Sequence, residues 1–328
     1  MDIIYGPGLT GTGSIQSRDR NCQREKTAVA LGFFDGVHKG HRALLDELKK
    51  ISVSTGLRSV VYTFVNHPLT VLGADVRLLG HNSLRAEYIA ESGIDQLRFV
   101  WFDRQLSRTA PEDFAKEILA GELNAAYVLT GENYTFGSKG SGNAAMLAEF
   151  GRRYGFETMA VPPVKIEIDG QRKTVSSSLL RKLAAEGRMA EYEAAAGHRF
   201  RIDGTVTQGR RVGRSMNFPT ANIVPDRRFA LPSPGVYATV ARTSIDPEKS
   251  YPGITNVGNN PTFNGVAGRV SIETNLIGFY GDLYGRELSV EFIEKTRGEI
   301  RFSSKRELAA QIASDAADRI KMFETRGV

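Results

Sequence analysis

The amino-acid sequence predicts an α/β domain built on a doubly wound parallel sheet, followed by a small antiparallel β-barrel and a C-terminal helix. Over the first half of the chain, continuous apolar segments alternate with segments of helical periodicity, which is typical of parallel sheets buried on both faces. After about residue 187, short strands of alternating polarity replace the helices, separated by Gly, Pro and Asn turns. This change predicts two domains, at 1–187 and 188–328.

The first domain is predicted from its strands and helices in turn. Residues 27–34 form a continuous apolar run and residues 59–64 form a second, as expected for buried parallel strands. Between them, residues 40–53 place four large apolar side chains on one helical stripe. A further strand is predicted at 126–129, before a Gly-rich loop. Strands that alternate with helices in this way favour a Rossmann-like sheet.

The second domain is predicted from strands whose side chains alternate in polarity. The strand at 269–276 has an apolar and a polar face, with Val270, Ile272, Thr274 and Leu276 on the first and Ser271, Glu273 and Asn275 on the second. Residues 288–292 repeat the alternation. A closing helix is predicted because Ser304 and Glu307 match a capping box and apolar residues from Leu308 to Phe323 line one side.

Composition and charge narrow the class of protein. The 328 residues are 41% apolar and 24% charged, without a long uncharged apolar run, so we expect a globular protein with no membrane span. The N-terminal segment lacks the apolar core of a secretory signal, and the one cysteine, Cys22, cannot form an intramolecular disulfide. We therefore expect a cytoplasmic location. The net charge of +6 suits either ATP or nucleic acid as a polyanionic partner.

The sharpest motif is Gly-Phe-Phe-Asp-Gly-Val-His-Lys-Gly-His at 32–41, between a predicted strand and a predicted helix. Ligands of parallel sheets bind at the carboxyl ends of the strands, and a helix N-terminus favours phosphate oxygens. His38 and His41 lie three residues apart at the helix start, so both can point at one phosphate and stabilise its developing charge. This motif predicts a nucleotide site.

A second helix start, Val-Ser-Ser-Ser-Leu-Leu-Arg at 175–181, offers another anion site through its serine hydroxyls and backbone N–H groups. Ser177 and Arg181 lie in this segment. Either motif alone is more often an ordinary helix cap, but their occurrence at the two ends of one α/β domain favours the catalytic interpretation. Together they predict a clamp on a triphosphate, where positioning and charge stabilisation suffice for transfer at phosphorus.

The second domain carries a glycine- and arginine-rich segment at 204–214 that could fold over phosphates. After Pro219, an extended strand would present the side-chain oxygens of Thr220 and Asn222 on one side, and oxygen ligands of this kind suit Mg²⁺. Glu273, on the polar face of its strand, could accept a proton from an attacking alcohol. An exposed glutamate on such a strand is usually only a surface residue. The interpretation therefore depends on all of these segments occurring together in this order.

Both halves resemble known families. The motifs at 32–41 and 175–181 look like the two signatures of the nucleotidyltransferase superfamily, and residues 63–68 and 131–137 narrow the match to the bacterial bifunctional riboflavin kinase/FMN adenylyltransferase family. The resemblance implies that the first module transfers AMP from ATP to FMN and releases pyrophosphate. It implies ATP contacts for Gly32, Phe33, His38, His41, Ser177 and Arg181, and flavin contacts for Phe64, Pro68, Asn133 and Phe136.

The segments from residue 209 to residue 299 resemble, in order, the riboflavin kinase module of that family. The resemblance implies a six-stranded Greek-key barrel that phosphorylates the terminal ribityl hydroxyl of riboflavin. It implies a nucleotide loop at Gly209 and Gly213, Mg-ATP held by Thr220 and Asn222, Glu273 as the base and Arg297 near the product phosphate. The expected ligands are riboflavin, ATP and Mg²⁺, with FMN and FAD as products.

Two alternatives remain open from the sequence. Val65, Asn66 and Gly278 depart from the family pattern, so the chain could be a relative that keeps one of the two activities. A nucleic-acid-binding protein is the other alternative, because helix-start histidine motifs also occur in tRNA-charging enzymes. The chain lacks an aromatic-basic stacking signature, so we expect neither nucleic acid nor membrane as a partner. The sequence makes no prediction of the oligomeric state.

Overall fold

The computed structural model describes residues 1–6, 25–208, 218–260, 269–300 and 303–326 of the chain. The predictions for Cys22, Gly209 and Gly213 lie outside these residues, as does the one for the side chain of Leu308. The chain divides into two compact units, formed by Met1–Val76 with His81–Ser177 and by Arg77–Gly80 with Ser178–Val328.

The first unit contains a six-stranded sheet in which every pair of neighbouring strands is parallel. Its strands are β1 (Asp2–Tyr5), β2 (Thr27–Leu31), β3 (Arg58–Phe64), β4 (Gln96–Val100), β5 (Ala125–Gly131) and β6 (Glu157–Val161). Their order is β1-β4-β3-β2-β5-β6, so the winding reverses between β2 and β5. This reversal confirms the predicted doubly wound sheet and marks the crevice where such sheets bind ligands.

Helices of the first unit connect these strands. They are α1 (Lys39–Thr55), α2 (Pro68–Val71), α3 (Asn82–Glu91), α4 (Pro111–Asp113) and α5 (Ala144–Tyr154). Two 3₁₀ turns (Leu106–Arg108 and Ser138–Gly140), a π-helix (Phe114–Glu122) and the hairpin β7 (Lys165–Ile168) and β8 (Gln171–Thr174) complete it. Helix α1 forms because its apolar stripe buries Leu44, Leu45 and Leu48, and it ends at Gly56, whose φ of 70° suits glycine.

The parallel sheet is covered by apolar side chains on both faces. In β2, Ala28 and Ala30 belong to one core cluster, while Val29 and Leu31 belong to a second. Because successive side chains point to opposite faces, a strand buried on both sides becomes continuously apolar. This explains why residues 27–31 read as an uninterrupted hydrophobic run.

The second unit contains a closed barrel of six antiparallel strands. Its elements are α6 (Ser177–Glu186), α7 (Met189–Ala196), β9 (Phe200–Thr207), β10 (Ala221–Ile223), β11 (Gly235–Thr243), β12 (Asp246–Asn260), β13 (Arg269–Leu276), β14 (Glu287–Arg297) and α8 (Lys305–Arg326). Strands β11, β12 and β13 are consecutive neighbours and β14 returns beside β11, which is the Greek-key order. The predicted barrel and C-terminal helix are confirmed.

Strand β13 differs from a simple inside–outside strand. Ile272 and Thr274 are fully buried on one face as predicted, but on the polar face Ser271 and Asn275 are also buried. Asn275 donates from Nδ2 to the carbonyl of Pro219 at 2.8 Å, which satisfies its amide. The polar face is therefore a packed polar surface rather than a solvated one.

Helix α8 begins at the predicted cap, with one change. The Ser304 hydroxyl accepts the Glu307 N–H at 3.2 Å, whereas the Glu307 carboxylate accepts from the N–H and hydroxyl of Ser303 rather than from Ser304. Further along, the buried Arg319 donates to the carbonyl of Thr239, beside an irregularity in the β11–β14 pairing. A strand bulge thus offers the carbonyl that anchors the helix. Among the described residues, no helix has the length and apolar character needed to cross a bilayer.

Candidate active sites

The loop that follows β2 contains the predicted histidine motif in a strained conformation. Phe34, Gly36 and Val37 have φ values of 58°, 73° and 31°, in the left-handed region. Glycine adopts this region without penalty, but a β-branched residue such as Val37 is strained there, by about 1–3 kcal/mol. Phe34 and Val37 are completely buried, so packing holds the conformation. Strain maintained in this way is typical of functional loops.

His38 is the N-cap of α1, a structural role that histidines at helix starts often have. Its Nδ1 accepts the backbone N–H of His41 at 3.2 Å, which satisfies one N–H of the helix start. The rings of His38 and His41 stack with their centroids 3.7 Å apart. A Cβ atom at Gly40 would lie 3.2 Å from the His38 ring, so this position favours glycine. The two imidazoles therefore lie side by side at the N-terminus of α1.

The environment of His41 favours its neutral form. Burial, followed by the charges of His38 and Arg85, holds the pKa of His41 well below its usual value of 6.5. Its Nδ1 atom is buried and has no hydrogen-bond partner among the described residues. A buried polar atom of this kind is costly and often marks a functional residue.

Arg85 of α3 is a component of this site that the motifs did not reveal. Its Nη1 donates to the carbonyl of Phe33 at 2.6 Å, and its Nη2 donates to the carbonyl of Phe64 and to Asn82 Oδ1 at 2.6 and 2.7 Å. The arginine is buried, and burial lowers its pKa to about 10. A signal existed in the sequence, because this arginine interrupts the apolar side of α3.

The second helix start contributes through Ser177. Ser177 belongs to the first unit, and its hydroxyl donates to the carbonyl of Asp35, in the loop after β2, at 2.9 Å. Arg181, one turn later, belongs to the second unit and donates from Nε to the carbonyl of Arg77 at 2.6 Å. Ser177 thus lies beside the histidine loop, and the ATP contacts predicted for Ser177 and Arg181 both stay predictions.

The residues predicted to contact flavin have different environments. Phe64 ends β3 and packs edge-on against Phe102 with centroids 5.1 Å apart, and Pro68 is the first residue of α2. Asn133 is exposed in the loop after β5. Phe136, by contrast, is buried in the core of the first unit, 5.6 Å from the Phe114 ring. Its environment is that of a structural side chain.

Asn66, one of the departures from the family pattern, has a defined structural role. Its Nδ2 donates to the carbonyl of Phe102 and its Oδ1 accepts the N–H of Phe102, both at 2.9 Å. The amide thus joins the loops that follow β3 and β4, which requires a side chain with both a donor and an acceptor. The departure is accommodated by a pair of hydrogen bonds.

In the barrel, Glu273 lies in a cross-strand row of polar residues. It is paired with Asn222 on β10 and with Asn256 on β12, and Asn222 is in turn paired with Thr207 on β9. Directly opposed residues place their side chains on the same face. The half-buried Glu273 therefore has an asparagine opposite it on each neighbouring strand, and its role as base stays a prediction.

The predicted metal ligands Thr220 and Asn222 also lie close together. Asn222 Nδ2 is 3.2 Å from the Thr220 carbonyl and 3.4 Å from its Oγ1. A hydroxyl and an amide oxygen suit Mg²⁺, which normally brings phosphates and waters as its remaining ligands. Within the described ranges, no group of three or more His, Cys, Asp or Glu residues could hold a metal. The contact between the two side chains runs through Nδ2 of Asn222, so magnesium binding by Thr220 and Asn222 stays a prediction.

A second carboxylate lies near this row and was not predicted. A Cβ atom built on Gly258 would lie 2.6 Å from Glu299 Oε1 and 3.2 Å from Asn256 Nδ2. The glycine therefore leaves space for the Glu299 side chain beside the polar row. No sequence pattern indicated this approach, because it joins β12 to the segment after β14.

Arg297 was predicted to contact the product phosphate, and the structure joins it to a carboxylate. Its Nη2 lies 2.7 Å from Asp315 Oδ2, and its Nε donates to the same carboxylate. Gln311 also donates to Asp315, at 2.9 Å. Arg297 thereby attaches the end of β14 to α8, and its predicted phosphate contact stays a prediction.

The fold and these two sites define a two-unit transferase, with a nucleotidyltransferase-type sheet and a barrel that carries a positioned carboxylate. Family models agree: residues 20–179 match FAD synthetase and residues 196–323 match riboflavin kinase. The chain belongs to the family of bifunctional riboflavin kinase/FMN adenylyltransferases.

Relatives and solved structures support this assignment. The Escherichia coli K12 bifunctional riboflavin kinase/FMN adenylyltransferase is 36% identical over 294 residues, covering 89% of this chain and 91% of the relative. The Listeria monocytogenes protein of the same name is 33% identical, covering 90% and 92%. A crystal structure described as a macrolide-efflux protein from Streptococcus pneumoniae has a TM-score of 0.81 at 27% identity, covering 97% of this chain and 98% of that one. The last similarity shows that the fold is shared along the chain.

Proposed function

We propose that this chain converts riboflavin to FMN and FMN to FAD, using ATP in both steps. The observation that carries the proposal is the stacked His38–His41 pair at the N-terminus of α1, at the point where the winding of the parallel sheet reverses. Adenylyl transfer is assigned to the domain at 1–187 and phosphoryl transfer to the domain at 188–328. We propose that the protein is located in the cytoplasm. Its proposed partners are riboflavin, FMN and ATP, and neither nucleic acid nor a membrane.

In the adenylyl transfer, a phosphate oxygen of FMN attacks the α-phosphorus of ATP and pyrophosphate leaves. Gly32, Phe33, His38 and His41 are proposed to contact the nucleotide, together with Ser177 and Arg181. The low pKa of His41 supports a neutral imidazole. Such a ring can donate a hydrogen bond to a phosphate oxygen without becoming protonated itself. Four residues are proposed to form the flavin side of the site: Phe64, Pro68, Asn133 and Phe136. The buried Phe136 would act indirectly, because its ring stacks on that of Tyr134.

In the phosphoryl transfer, the terminal ribityl hydroxyl of riboflavin attacks the γ-phosphorus of ATP and ADP leaves. Glu273 is the proposed base that accepts the hydroxyl proton, and its neighbours Asn222 and Asn256 support a defined carboxylate orientation. Thr220 and Asn222 would hold Mg²⁺, which neutralises phosphate charge when it is bound. Gly209 and Gly213 are proposed to cover the phosphates, and Arg297 is proposed near the product phosphate.

The test is chromatography of flavin products after incubation with riboflavin, ATP and magnesium. We expect FMN and ADP to appear first, followed by FAD and pyrophosphate. A parallel reaction started with FMN isolates the adenylyl transfer, and a reaction without magnesium provides the control. Product from only one of the two starting flavins would identify a monofunctional relative, and no product from either would contradict the proposal.

A further inference from the structure

Arg85 is a buried cation for which the proposed reactions assign no role. It is 6% exposed and lies on α3 among Leu84, Ala86, Tyr88 and Ile89, all of which are buried. Burying a guanidinium is unfavourable unless its donors are satisfied. A methionine or leucine would fill this position at lower cost, so the contacts of Arg85 indicate what the residue contributes.

The hydrogen bonds of Arg85 connect two loops that the proposed site requires. One end of the guanidinium binds the carbonyl of Phe33, which directly precedes the strained residues of the histidine loop. The other end binds the carbonyl of Phe64, at the end of β3 and before the loop that carries Pro68. A planar group with several donors suits this arrangement, because it holds two acceptors at a set separation.

Neighbouring groups reinforce the same anchor. Thr63 Oγ1 donates to the Phe33 carbonyl at 3.1 Å, so that oxygen accepts two hydrogen bonds. The Arg85 guanidinium also lies over the rings of Phe33 and Phe99, 4.4 and 5.0 Å from their centroids. These contacts compensate part of the lost hydration through cation–π interactions. Several contacts therefore fix the position of Phe33 at once. A strained loop keeps its conformation only when its neighbours are held in this way.

Arg85 also acts on His41 through its charge. The groups that shift the pKa of His41 are its own burial, the neighbouring His38 and the positive charge of Arg85 on α3, all of which lower it. The buried Asp35 acts in turn on Arg85 and favours its charged form. A cation at this position thus disfavours a second positive charge on the imidazole.

We infer that Arg85 is a positioning residue for adenylyl transfer, which sets the nucleotide loop against the flavin side of the site. This inference rests on the proposed function of the first unit. It predicts that ATP and FMN binding are both affected when the guanidinium is lost, although Arg85 itself contacts neither substrate.

The experiment compares Arg85→Lys and Arg85→Met in the full chain, with Arg153→Lys and Arg153→Met as matched controls. Arg153 is about half exposed and pairs with Glu112 on the surface of the same unit. The rate of FAD formation from FMN is measured as a function of ATP, of FMN and of pH. Riboflavin phosphorylation in the same samples reports on the second unit.

We expect Arg85→Lys to raise KM for both ATP and FMN by roughly tenfold, because an ammonium cannot hold both carbonyls. Arg85→Met should lower kcat/KM by about a hundredfold or more and move the acid limb of its pH profile to higher pH, because the charge that disfavours protonated His41 is gone. The kinase rate and both Arg153 variants should match the parent.

A purely structural role would reduce the amount of active enzyme while leaving both KM values and the acid limb unchanged, and that result would overturn the inference. If Arg85→Met does not accumulate as folded protein, the KM values of Arg85→Lys for ATP and FMN are sufficient to test the inference. Unchanged KM values in that variant would overturn it. Failure of the parent chain itself to make FAD from FMN would contradict the proposed function instead, so the two failures are distinguishable.

Discussion

The two candidate sites are assembled in different ways. In the first unit, His38 and His41 come from one turn of chain at the start of α1, which His38 caps. In the barrel, Asn222, Glu273 and Asn256 come from three strands and meet only through the strand register. The first site is therefore local and depends on loop conformation, whereas the second depends on the correct pairing of the whole barrel.

Each unit also contains a buried arginine, and the comparison separates a structural role from a positioning role. Arg85 and Arg319 both donate to backbone carbonyls, and burial lowers the pKa of each to about 10. Arg319 binds the Thr239 carbonyl and anchors α8 to the barrel. Arg85 binds carbonyls beside the histidine loop. A buried arginine alone does not indicate a functional site. Its role depends on where the carbonyl that accepts its hydrogen bonds lies in the fold.

The largest expected effect separates the chemistry of the two sites. Glu273→Gln preserves the shape of the side chain but removes the base, so riboflavin phosphorylation should fall by about 10²–10⁴-fold. FMN adenylylation by the same sample should be unchanged. Glu287→Gln on β14, where the carboxylate accepts from the Thr205 hydroxyl, is the matched control and should retain both rates. Parental kinase activity in Glu273→Gln would show that the base lies elsewhere.

A second prediction tests how strongly the first unit depends on loop conformation. Gly137 has a φ of 71°, and a Cβ atom there would lie 2.7 Å from the Pro111 ring and 2.8 Å from its nitrogen. We expect Gly137→Ala to destabilise the first unit by about 2–4 kcal/mol, since its φ of 71° and ψ of −175° lie in a region almost exclusive to glycine and the overlap with Pro111 adds to this strain. The kinase activity of the barrel should persist.

Its control is Gly155→Ala, where φ is 86° but no atom lies within 4 Å of the built Cβ. Backbone strain alone should cost about 1–2 kcal/mol there. Unfolding in urea can be followed through Trp101, the single tryptophan of the chain, which lies in the first unit. Equal destabilisation of the two variants would mean that Pro111 moves aside, and that the loop is less constrained than its contacts indicate.

The smallest expected effect concerns pH. Because the folded pKa of His41 lies below the unfolded value of 6.5, the unfolded chain binds a proton that the native first unit does not bind between these values. The corresponding stability is present above about pH 6.5 and is lost as the pH falls through the folded pKa. Acidification from pH 7.5 to 5.5 should therefore destabilise the first unit. On unfolding in this range, the imidazole of His41 takes up at most about one proton.

The measurement is the free energy of unfolding from Trp101 fluorescence at the two pH values, in the parent and in His41→Asn. The variant removes the titrating imidazole, so its pH dependence should be weaker. The carboxylate of Asp95, whose pKa is lowered from 3.8, titrates well below this range and does not interfere. An undiminished pH dependence in the variant would assign the effect to another group.

Local features were predictable from the residues. The helix that starts at the histidine motif, with His38 at its N-cap, follows from the placement of polar and apolar residues within a few positions. Strand β13 was predicted with its observed bounds, 269–276, because alternation over eight residues is a strong signal. Ser304 was recognised as a cap for the same reason: its partner, the Glu307 N–H, is only three residues away.

Features that depend on distant parts of the chain were not predictable. The approach of Arg85 to Phe33 spans 52 positions, and no local pattern records it. Phe136 packs in the core around Phe114, which its position in the motif at 131–137 did not indicate, and its flavin contact stays a prediction. The Arg297–Asp315 pair likewise depends on how α8 packs against β14. In each case a side chain with several available partners takes the one that tertiary packing brings near.

The residues alone predicted a doubly wound sheet from three of its six strands (β2, β3 and β5), the change from this sheet to a barrel, and the positions of the histidine and glutamate motifs. These follow from periodicity, capping and turn chemistry, which act over a few residues. Long-range packing sets which polar groups are buried, which carbonyls accept hydrogen bonds from them and how the pKa of His41 is lowered. Those properties depend on desolvation and on charges far apart in sequence, and both exist only once the chain has folded.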